Sequence, residues 1–495
     1  MNSSMIRHVL GNILKIEGVL MVLPCLVAIV YREKEGLAFL AVAVLCEACG
    51  FLMTLRKPRS HVFYFKEGCV ATAMSWILLS VFGALPFRIT GEIPSYVDAL
   101  FETISGFTTT GSSILTDVEA LSHCTLIWRS FTHWVGGMGV LVFLLAIIPM
   151  GGGSHFHLMK AESPGPSVGK LVPKVRYTAQ ILYMIYIGLT AAEIILLVIG
   201  GMPLFDSVAH AFGTAGTGGF GIKADSIGGY SPYLQWVVGI FMLLFGINFN
   251  FYYYILLKNV RRAFAMEEVR GYLLIIAAST AYITYSIHKS SMAFGTSLRH
   301  AFFQVSSIIT TTGFATYDFE TWSKSCHVIL VMLMFIGACA GSTGGGIKVS
   351  RIITMVKTVI KELQSYIHPK SIKKIKMDSR PIEHEVVRAT NVFLITFLII
   401  FVISVFLVSL DGNDLVTSFT AVAATINNIG PGLSKVGPTC NFSFFSDFAK
   451  FVMMFDMLAG RLELFPLLIL LHPAIWKDLT NQKIKTVMRE RTDRK

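Results

Sequence analysis

Charge is what this chain has least of. Only 15% of its 495 residues are Asp, Glu, Lys or Arg, and only 30 are acidic, against roughly 25% charged residues in an ordinary soluble domain. A water-solvated surface is therefore excluded for most of the chain. Cysteines are also few. The eight (Cys25, Cys46, Cys49, Cys69, Cys124, Cys326, Cys339 and Cys440) are scattered, and the CxxC of Cys46 and Cys49 has no second ligand pair. That excludes a zinc framework and leaves small core residues as the better reading. No glycine spacing ahead of Lys and Ser/Thr matches a nucleotide-binding P-loop. No small-residue cleavage site follows Ile29, so the first apolar run reads as a retained helix and not a removable signal.

What is present is apolar. Hydrophobic residues make up 54% of the chain and mean hydropathy is +0.64. Runs at 392–410, 235–257 and from 328 onward approach the roughly 20 residues that cross a bilayer. The net charge of +12 sits in alternate connections: Arg56, Lys57, Arg59 and Lys66; Lys160, Lys170, Lys174 and Arg176; Lys258, Arg261, Arg262 and Arg270; then 357–388 and the tail 477–495. The connections between them, such as 112–122 with Asp117 and Glu119, are poor in bases. By the positive-inside rule the first set is cytoplasmic, the second is outside, and Arg7 and Lys15 put the N-terminus inside. No aromatic-interleaved basic patch accompanies this charge, so nucleic acid is not an expected partner and the lipid bilayer is.

One unit recurs four times. The sequence reads FTTTGSS around Gly111, AGTGGFG around Gly219, ITTTGFA around Gly313 and INNIGPG around Gly430. Thirteen residues before each glycine stands Asp98, Asp206, His300 or Thr417, and the next position is small in every case: Ala99, Ser207, Ala301 or Ser418. The stretch from there to the glycine is too short to span a membrane, which makes it a re-entrant helix candidate. Long apolar runs flank each one. The expected fold is an all-α polytopic membrane protein of ten transmembrane helices, with a two-helix unit at 1–60 and four pseudo-symmetric modules of helix, re-entrant pore loop and helix. The module bounds are 61–150, 151–260, 261–380 with its second helix interrupted, and 381–495 including the tail. An even number of spans returns the C-terminus to the cytoplasm and turns all four loops outward.

Irregular backbone is tolerated inside a membrane only where it is buried in protein or lines a polar cavity. A selectivity filter supplies that reason, because carbonyls from four related loops replace the hydration shell of an ion. The candidate potassium-binding residues are Thr109, Thr110 and Gly111; Thr217, Gly218 and Gly219; Thr311, Thr312 and Gly313; and Asn428, Ile429 and Gly430. Glycine permits the torsions that aim successive carbonyls inward, and the threonines add uncharged oxygens. A single TTTG would read as a turn; four at matching offsets do not. The motifs carry no carboxylate ring, which favours a monovalent over a divalent cation.

With WVGGMGV at 134–140, GSTGGGIKV at 341–349 and LAGRLE at 458–463, the four loops resemble the bacterial TrkH, TrkG and KtrB potassium transporters over almost the whole chain, and the extra N-terminal helices look more like TrkH than KtrB. The resemblance implies potassium uptake across a bacterial plasma membrane, with potassium as the transported substrate and no organic cofactor on this chain. It also implies a homodimer and a cytosolic TrkA-like nucleotide-binding ring. Loops two and four depart from the TTG pattern, so the filter is pseudo-fourfold, and the resemblance implies one simpler than that of tetrameric potassium channels and only modestly selective. A sodium-permeable or ion-coupled transporter of the same fold is the alternative.

Below the filter, Arg461 lies near mid-membrane, where an arginine is costly enough to suggest a function. A buried ion pair with Asp456, Glu463 or an acid of another helix is the structural alternative. Gly341, Ser342, Thr343, Gly344, Gly345 and Gly346 fall at similar depth and form poor helix, so an unwound intramembrane loop is expected there, with close helix packing the other reading. The resemblance implies that this loop and Arg461 form a gate. Gly136, Gly137 and Gly246 lie at comparable depth. Lys348, Arg351 and the bases that follow read mainly as a solvated, topology-setting run. An intramembrane enzyme would need converging groups, whereas His133, Glu193 and Asp456 fall in different modules without a catalytic motif. The chain is therefore expected not to be an enzyme.

Overall fold

The structure, a computed structural model, describes residues 1–58, 64–139, 175–290, 292–369 and 374–477. The expectations for Arg59, Val140 and the end of the first module to 150, for the bases at 160–174 and for the tail beyond Lys477 lie outside the described residues. The described chain is helical apart from one two-stranded hairpin.

It opens with α1 (Ser3–Leu20) running into α2 (Val22–Tyr31), and α3 (Gly36–Thr54) returns alongside. Glycines let these helices touch: a β-carbon on Gly18 would lie 2.9 Å from the Ala43 carbonyl oxygen, and one on Gly50 would lie 2.6 Å from that of Gly11. Small residues bring helix backbones together where lipid removes the hydrophobic drive for association.

The repeated unit follows. In the first module α4 (Phe65–Gly83) and α5 (Leu85–Thr90) lead to the short α6 (Tyr96–Phe107), and after a loop comes α7 (His123–Met138). The second has α8 (Val175–Ile199), short α9 (Leu204–Gly216), α10 (Pro232–Phe245) and α11 (Phe249–Leu256), with the small α12 (Val260–Ala265) beyond. The third has α13 (Glu267–Lys289), short α14 (Phe294–Ile309), α15 (Lys324–Ile336) and α16 (Val349–Ile367). The antiparallel hairpin β1 (Lys376–Met377) and β2 (Arg380–Pro381) pairs Lys376 with Pro381 and turns on Asp378 and Ser379, both at positive φ. The fourth module has α17 (His384–Ser409), short α18 (Leu415–Ile426), α19 (Asp447–Arg461) and α20 (Phe465–Leu471).

The short helices are largely enclosed. Ala99, Ser207, Ala301 and Ser418, the small residues at matching offsets, are all fully buried. Side chains cap two of these helices: Ser95 accepts from the Asp98 N–H at 3.3 Å, and Asp414 accepts from the Thr417 N–H at 3.0 Å. The long leading helices instead turn apolar side chains outward, as lipid demands; Ile395, Ile399, Val402 and Phe406 of α17 are all more than half exposed.

Among the described residues five helices are long and apolar enough to cross a membrane, six if α10 and α11, which bend by 91° at their junction, form one span. The leading helix of the third unit, α13, is long but not among the five, and the other helices expected to cross share a feature. The second long helix of each unit is broken or ends at mid-length: α7 at Met138, α10 at Phe245, α15 at Ile336 and α19 at Arg461. Sequence reasoning placed such a break only in the third module.

Candidate functional site

Each short helix ends in the same way. Thr109, Thr217, Thr311 and Asn428, two residues before the repeated glycine, take left-handed φ of 55 to 60°. The next residue donates its N–H back to a carbonyl five residues earlier: Thr110 to Ser105, Gly218 to Gly213, Thr312 to Ser307 and Ile429 to Ala424, at 2.8 to 2.9 Å. The left-handed residue itself bonds to the carbonyl three back. This is a Schellman helix end, in which glycine ordinarily fills the left-handed position. Three of the four here are β-branched threonines, for which such a φ is a genuine outlier, and strain of that kind costs roughly 1–3 kcal/mol per residue and gathers at functional sites.

The loops then close on one another. Gly111, Gly219, Gly313 and Gly430 all have positive φ and all line one cavity of about 160 Å³. A β-carbon on Gly111 would strike the carbonyl oxygen of Gly218, one on Gly219 that of Thr312, one on Gly313 that of Ile429, and one on Gly430 would stand 2.9 Å from that of Thr110. Each glycine therefore abuts the carbonyl preceding the glycine of the next loop, and four steps complete a ring. Direct bonds tie its ends: Ser112 Oγ donates to the Gly430 carbonyl at 3.1 Å and Asn428 Nδ2 to Thr110 Oγ1 at 2.9 Å. Among the described residues lining the cavity the charged ones are Arg129 and Lys223, and none is a carboxylate.

Behind loops one and two, Arg129 donates from Nη2 to Glu102 Oε1 at 2.7 Å and from Nε at 2.9 Å, both side chains being buried. Its guanidinium lies 4.2 Å from the centre of the Phe220 ring. His133 spans the same two loops, with Nδ1 2.7 Å from the Gly106 carbonyl and Nε2 accepting from the Phe220 N–H at 3.2 Å. Asp456 accepts from Ser404 at 2.7 Å. His133 thus braces loops, Asp456 braces helices, and neither is posed as an acid or base toward a common substrate.

The glycine-rich segment is unwound, as its composition predicts, but over a longer stretch, 337–348. Gly337, Gly341 and Gly346 have positive φ. The segment lies directly against the ring: the Gly345 N–H donates to Thr311 Oγ1 at 2.6 Å and the Gly346 N–H to the Asn427 carbonyl at 3.1 Å. Gly344 is pressed against the Thr310 carbonyl, 2.8 Å from where its β-carbon would be. Thr343 Oγ1 reaches the Phe245 carbonyl at 3.2 Å, the Gly341 carbonyl accepts from the Phe249 N–H at 2.9 Å, and Ser342 Oγ bonds within the segment to the Cys339 carbonyl.

Arg461 also meets this segment. Its Nη1 donates to the Thr343 carbonyl at 2.9 Å and Thr109 Oγ1 at 3.3 Å, and its Nη2 donates to the Gly137 carbonyl at 2.7 Å and to that of Gly136. Asp456 and Glu463, offered by the sequence as ion-pair partners, are engaged elsewhere, Glu463 with Arg351. Gly136 also packs against the Phe107 carbonyl, and Gly246 approaches the Tyr272 hydroxyl and Thr310. For these glycines close packing is the observed role.

Two expectations need correction. Lys348 and Arg351 do not belong to a solvated charge run. Both are buried, Lys348 bonding to the Gly344 carbonyl and Arg351 to Glu463 while stacking 4.1 Å from the centre of the Phe393 ring. Sequence reasoning also missed Glu268. This buried carboxylate accepts from the Ala340 N–H at 2.6 Å and the Ser350 N–H at 3.2 Å, so it holds both ends of the unwound segment, and Asn248 reaches it at 3.4 Å. Its only sequence signal was an acid at the start of a helix, which reads as ordinary dipole complementarity.

A polytopic helical membrane protein whose four internal repeats converge on one cavity belongs to the cation transport class, and comparison with known proteins agrees. Residues 36–478 match the family described as "TrkH: Cation transport protein", and the chain belongs to that family. It is 35% identical over 484 residues to the Trk system potassium uptake protein TrkH of Salmonella typhimurium, covering 96% of this chain and 99% of that one. It is 33% identical over 495 residues to the Trk system potassium uptake protein TrkG of Escherichia coli K12, covering 97% and 100%. The crystal structure of the potassium transporter TrkH from Vibrio parahaemolyticus superposes with a TM-score of 0.86 at 32% identity, over 96% of this chain and all of that one.

Proposed function

We propose that this chain takes up potassium across a bacterial plasma membrane through a filter made by its four loops, with residues 341–346 and Arg461 as the gate beneath. One observation carries the filter: the closed ring in which each glycine abuts the carbonyl preceding the glycine of the next loop. Such a ring crowds carbonyl oxygens around one axis without a carboxylate, which suits a dehydrated monovalent cation that must also leave. The inequality of the loops, with Gly218 and Ile429 where the other two have Thr110 and Thr312, favours modest discrimination against sodium.

In this reading the chain has ten spans, with the broken helices counted through their breaks, both termini in the cytoplasm and the ring on the outer side. The gate reading is supported by contact with all four units. Residues 343–346 touch α10 and loops three and four, and Arg461 adds loop one and α7. The proposed second copy and the proposed cytosolic nucleotide-binding ring have a natural handle in α16, which continues from the gate segment and exposes Val356, Val359, Ile360, Leu363 and Ile367 along one side.

Rubidium uptake into proteoliposomes containing the purified chain, competed separately by potassium and sodium, tests the reading. Potassium should compete at least as well as rubidium and sodium more weakly. Uptake that follows sodium and ignores potassium would overturn it.

A further inference from the structure

We propose that the groove between α8 and α11 holds an acyl chain of an anionic phospholipid, whose headgroup is held by Lys258 and Arg261. The groove has a volume of about 810 Å³, within the roughly 300–1,000 Å³ of ligand-sized cavities. Its walls are apolar, with Ile181, Met184 and Leu189 from α8 facing Tyr252, Ile255 and Leu256 from α11. Gly188 makes the hollow: nothing lies within 4 Å of where its β-carbon would be. A helix-interior glycine costs up to about 1 kcal/mol relative to alanine, and here that glycine keeps a notch open toward the lipid.

The chain leaving the groove wall carries the bases of the headgroup site. The Lys258 N–H donates to the Ile255 carbonyl at 2.9 Å, so this lysine sits one turn past the groove wall, and both Lys258 and Arg261 are exposed. The α12 helix that carries Arg261 also exposes Val260 and Phe264, the mixture of basic and apolar side chains expected of a segment lying in the membrane interface. Anionic headgroups are attracted to exposed bases at this level. An apolar slot ending in positive charge therefore selects a negatively charged lipid over a zwitterionic one.

The groove wall is also the hinge of the proposed gate. Tyr252, which lines the groove, bonds through its hydroxyl to the Leu244 carbonyl across the 91° bend, at 2.5 Å. At the start of the same helix the Phe249 N–H holds the Gly341 carbonyl. An acyl chain seated against α11 fixes the pose of that helix and, through Gly341, of the unwound segment. This regulatory half rests on the proposed gate; the lipid site itself does not.

The test uses purified full-length protein with mixed phosphatidylglycerol and phosphatidylcholine, read by native mass spectrometry for lipid retained and by rubidium uptake in vesicles with and without phosphatidylglycerol. Wild type should retain phosphatidylglycerol preferentially. The double variant Lys258→Gln/Arg261→Gln should lose that preference by about fivefold for each base removed. Gly188→Leu, whose side chain enters open space, should displace both lipids. Retention unchanged in both variants overturns the site, as does loss of a second copy of the chain in place of lipid from Gly188→Leu. Phosphatidylglycerol should raise uptake by wild type and not by the variants, and uptake indifferent to it overturns the regulatory half. If retention follows the expected pattern while wild type takes up no rubidium, the transport reading fails and the lipid site stands.

Discussion

Among the described residues Arg461 is the guanidinium that touches both the ring and the unwound segment, and replacing it by alanine removes both contacts. Its Nη1 lies 3.3 Å from Thr109 Oγ1, so under the proposed filter reading a cation leaving loop one would pass within about 6 Å of the positive charge. At that separation and an effective dielectric of about 20, the repulsion is about 3 kcal/mol, a factor of about 100 in flux. Loss of the bond to the Thr343 carbonyl acts in the same direction, because it frees the middle of the unwound segment. Rubidium uptake by Arg461→Ala in proteoliposomes should therefore rise steeply and lose its regulation. Arg461→Lys, which keeps the charge but not the two-pronged geometry, should stay near wild type in flux and fall in thermal stability. Equal uptake by wild type and Arg461→Ala, with protein of unchanged stability, would refute the reasoning. Arg461→Lys as open as Arg461→Ala would refute the electrostatic part alone.

Other expectations follow from the same geometry. Gly219→Ala puts a methyl group onto the Thr312 carbonyl at a φ of +76° and should abolish potassium-selective uptake, whereas Gly295→Ala, with nothing within 4 Å, should leave uptake intact. Glu102→Ala strands the buried Arg129 and should cost roughly 3–5 kcal/mol, read as a fall in melting temperature of the detergent-solubilised protein. Glu268→Ala leaves the Ala340 and Ser350 N–H groups without their acceptor, at about 1–3 kcal/mol each, and should deregulate uptake while Arg461 is intact. At the start of α18, hydrogen bonds from the Thr417 side chain and N–H hold the Asp414 carboxyl below its ordinary range. Its contribution to stability is thus full above that range and fades as pH falls through the depressed value. Asp414→Asn, still able to cap, should flatten the acid limb of the melting temperature against pH.

The repeat was legible in the sequence because it is local. A glycine, a small buried residue twelve positions earlier and apolar runs on either side are each visible in one dimension, and Ala99, Ser207, Ala301 and Ser418 are all buried as their offsets required. The unwound segment was legible from composition. The breaks after Phe245 and Arg461 were not, because Phe245 lies inside the apolar run 235–257, which reads as continuous, and around Arg461 only Gly460 interrupts the good helix formers. At both places a tertiary contact accompanies the break, Thr343 on the Phe245 carbonyl and Gly460 against the Ile426 carbonyl. The left-handed threonines were hidden for the converse reason. Propensity expects glycine at those positions, and only the tertiary ring keeps Thr109, Thr217 and Thr311 where they are. Glu268 and Glu102 were missed because their partners lie 72 and 27 residues away, beyond any spacing rule.

The closing contacts of the ring bear on how the protein is made. Ser112 and Gly430, and likewise Thr110 and Asn428, are 318 residues apart, so the first loop has no partner on that side until nearly the whole chain has left the ribosome. At about 5–20 residues per second that wait is tens of seconds. During it loops one, two and three can meet, each keeping the bonds of its own helix end, but loop one lacks its contact with loop four. Until then the chain can hold only the glycine-to-carbonyl contacts among loops one, two and three, and the ring stays open at that seam.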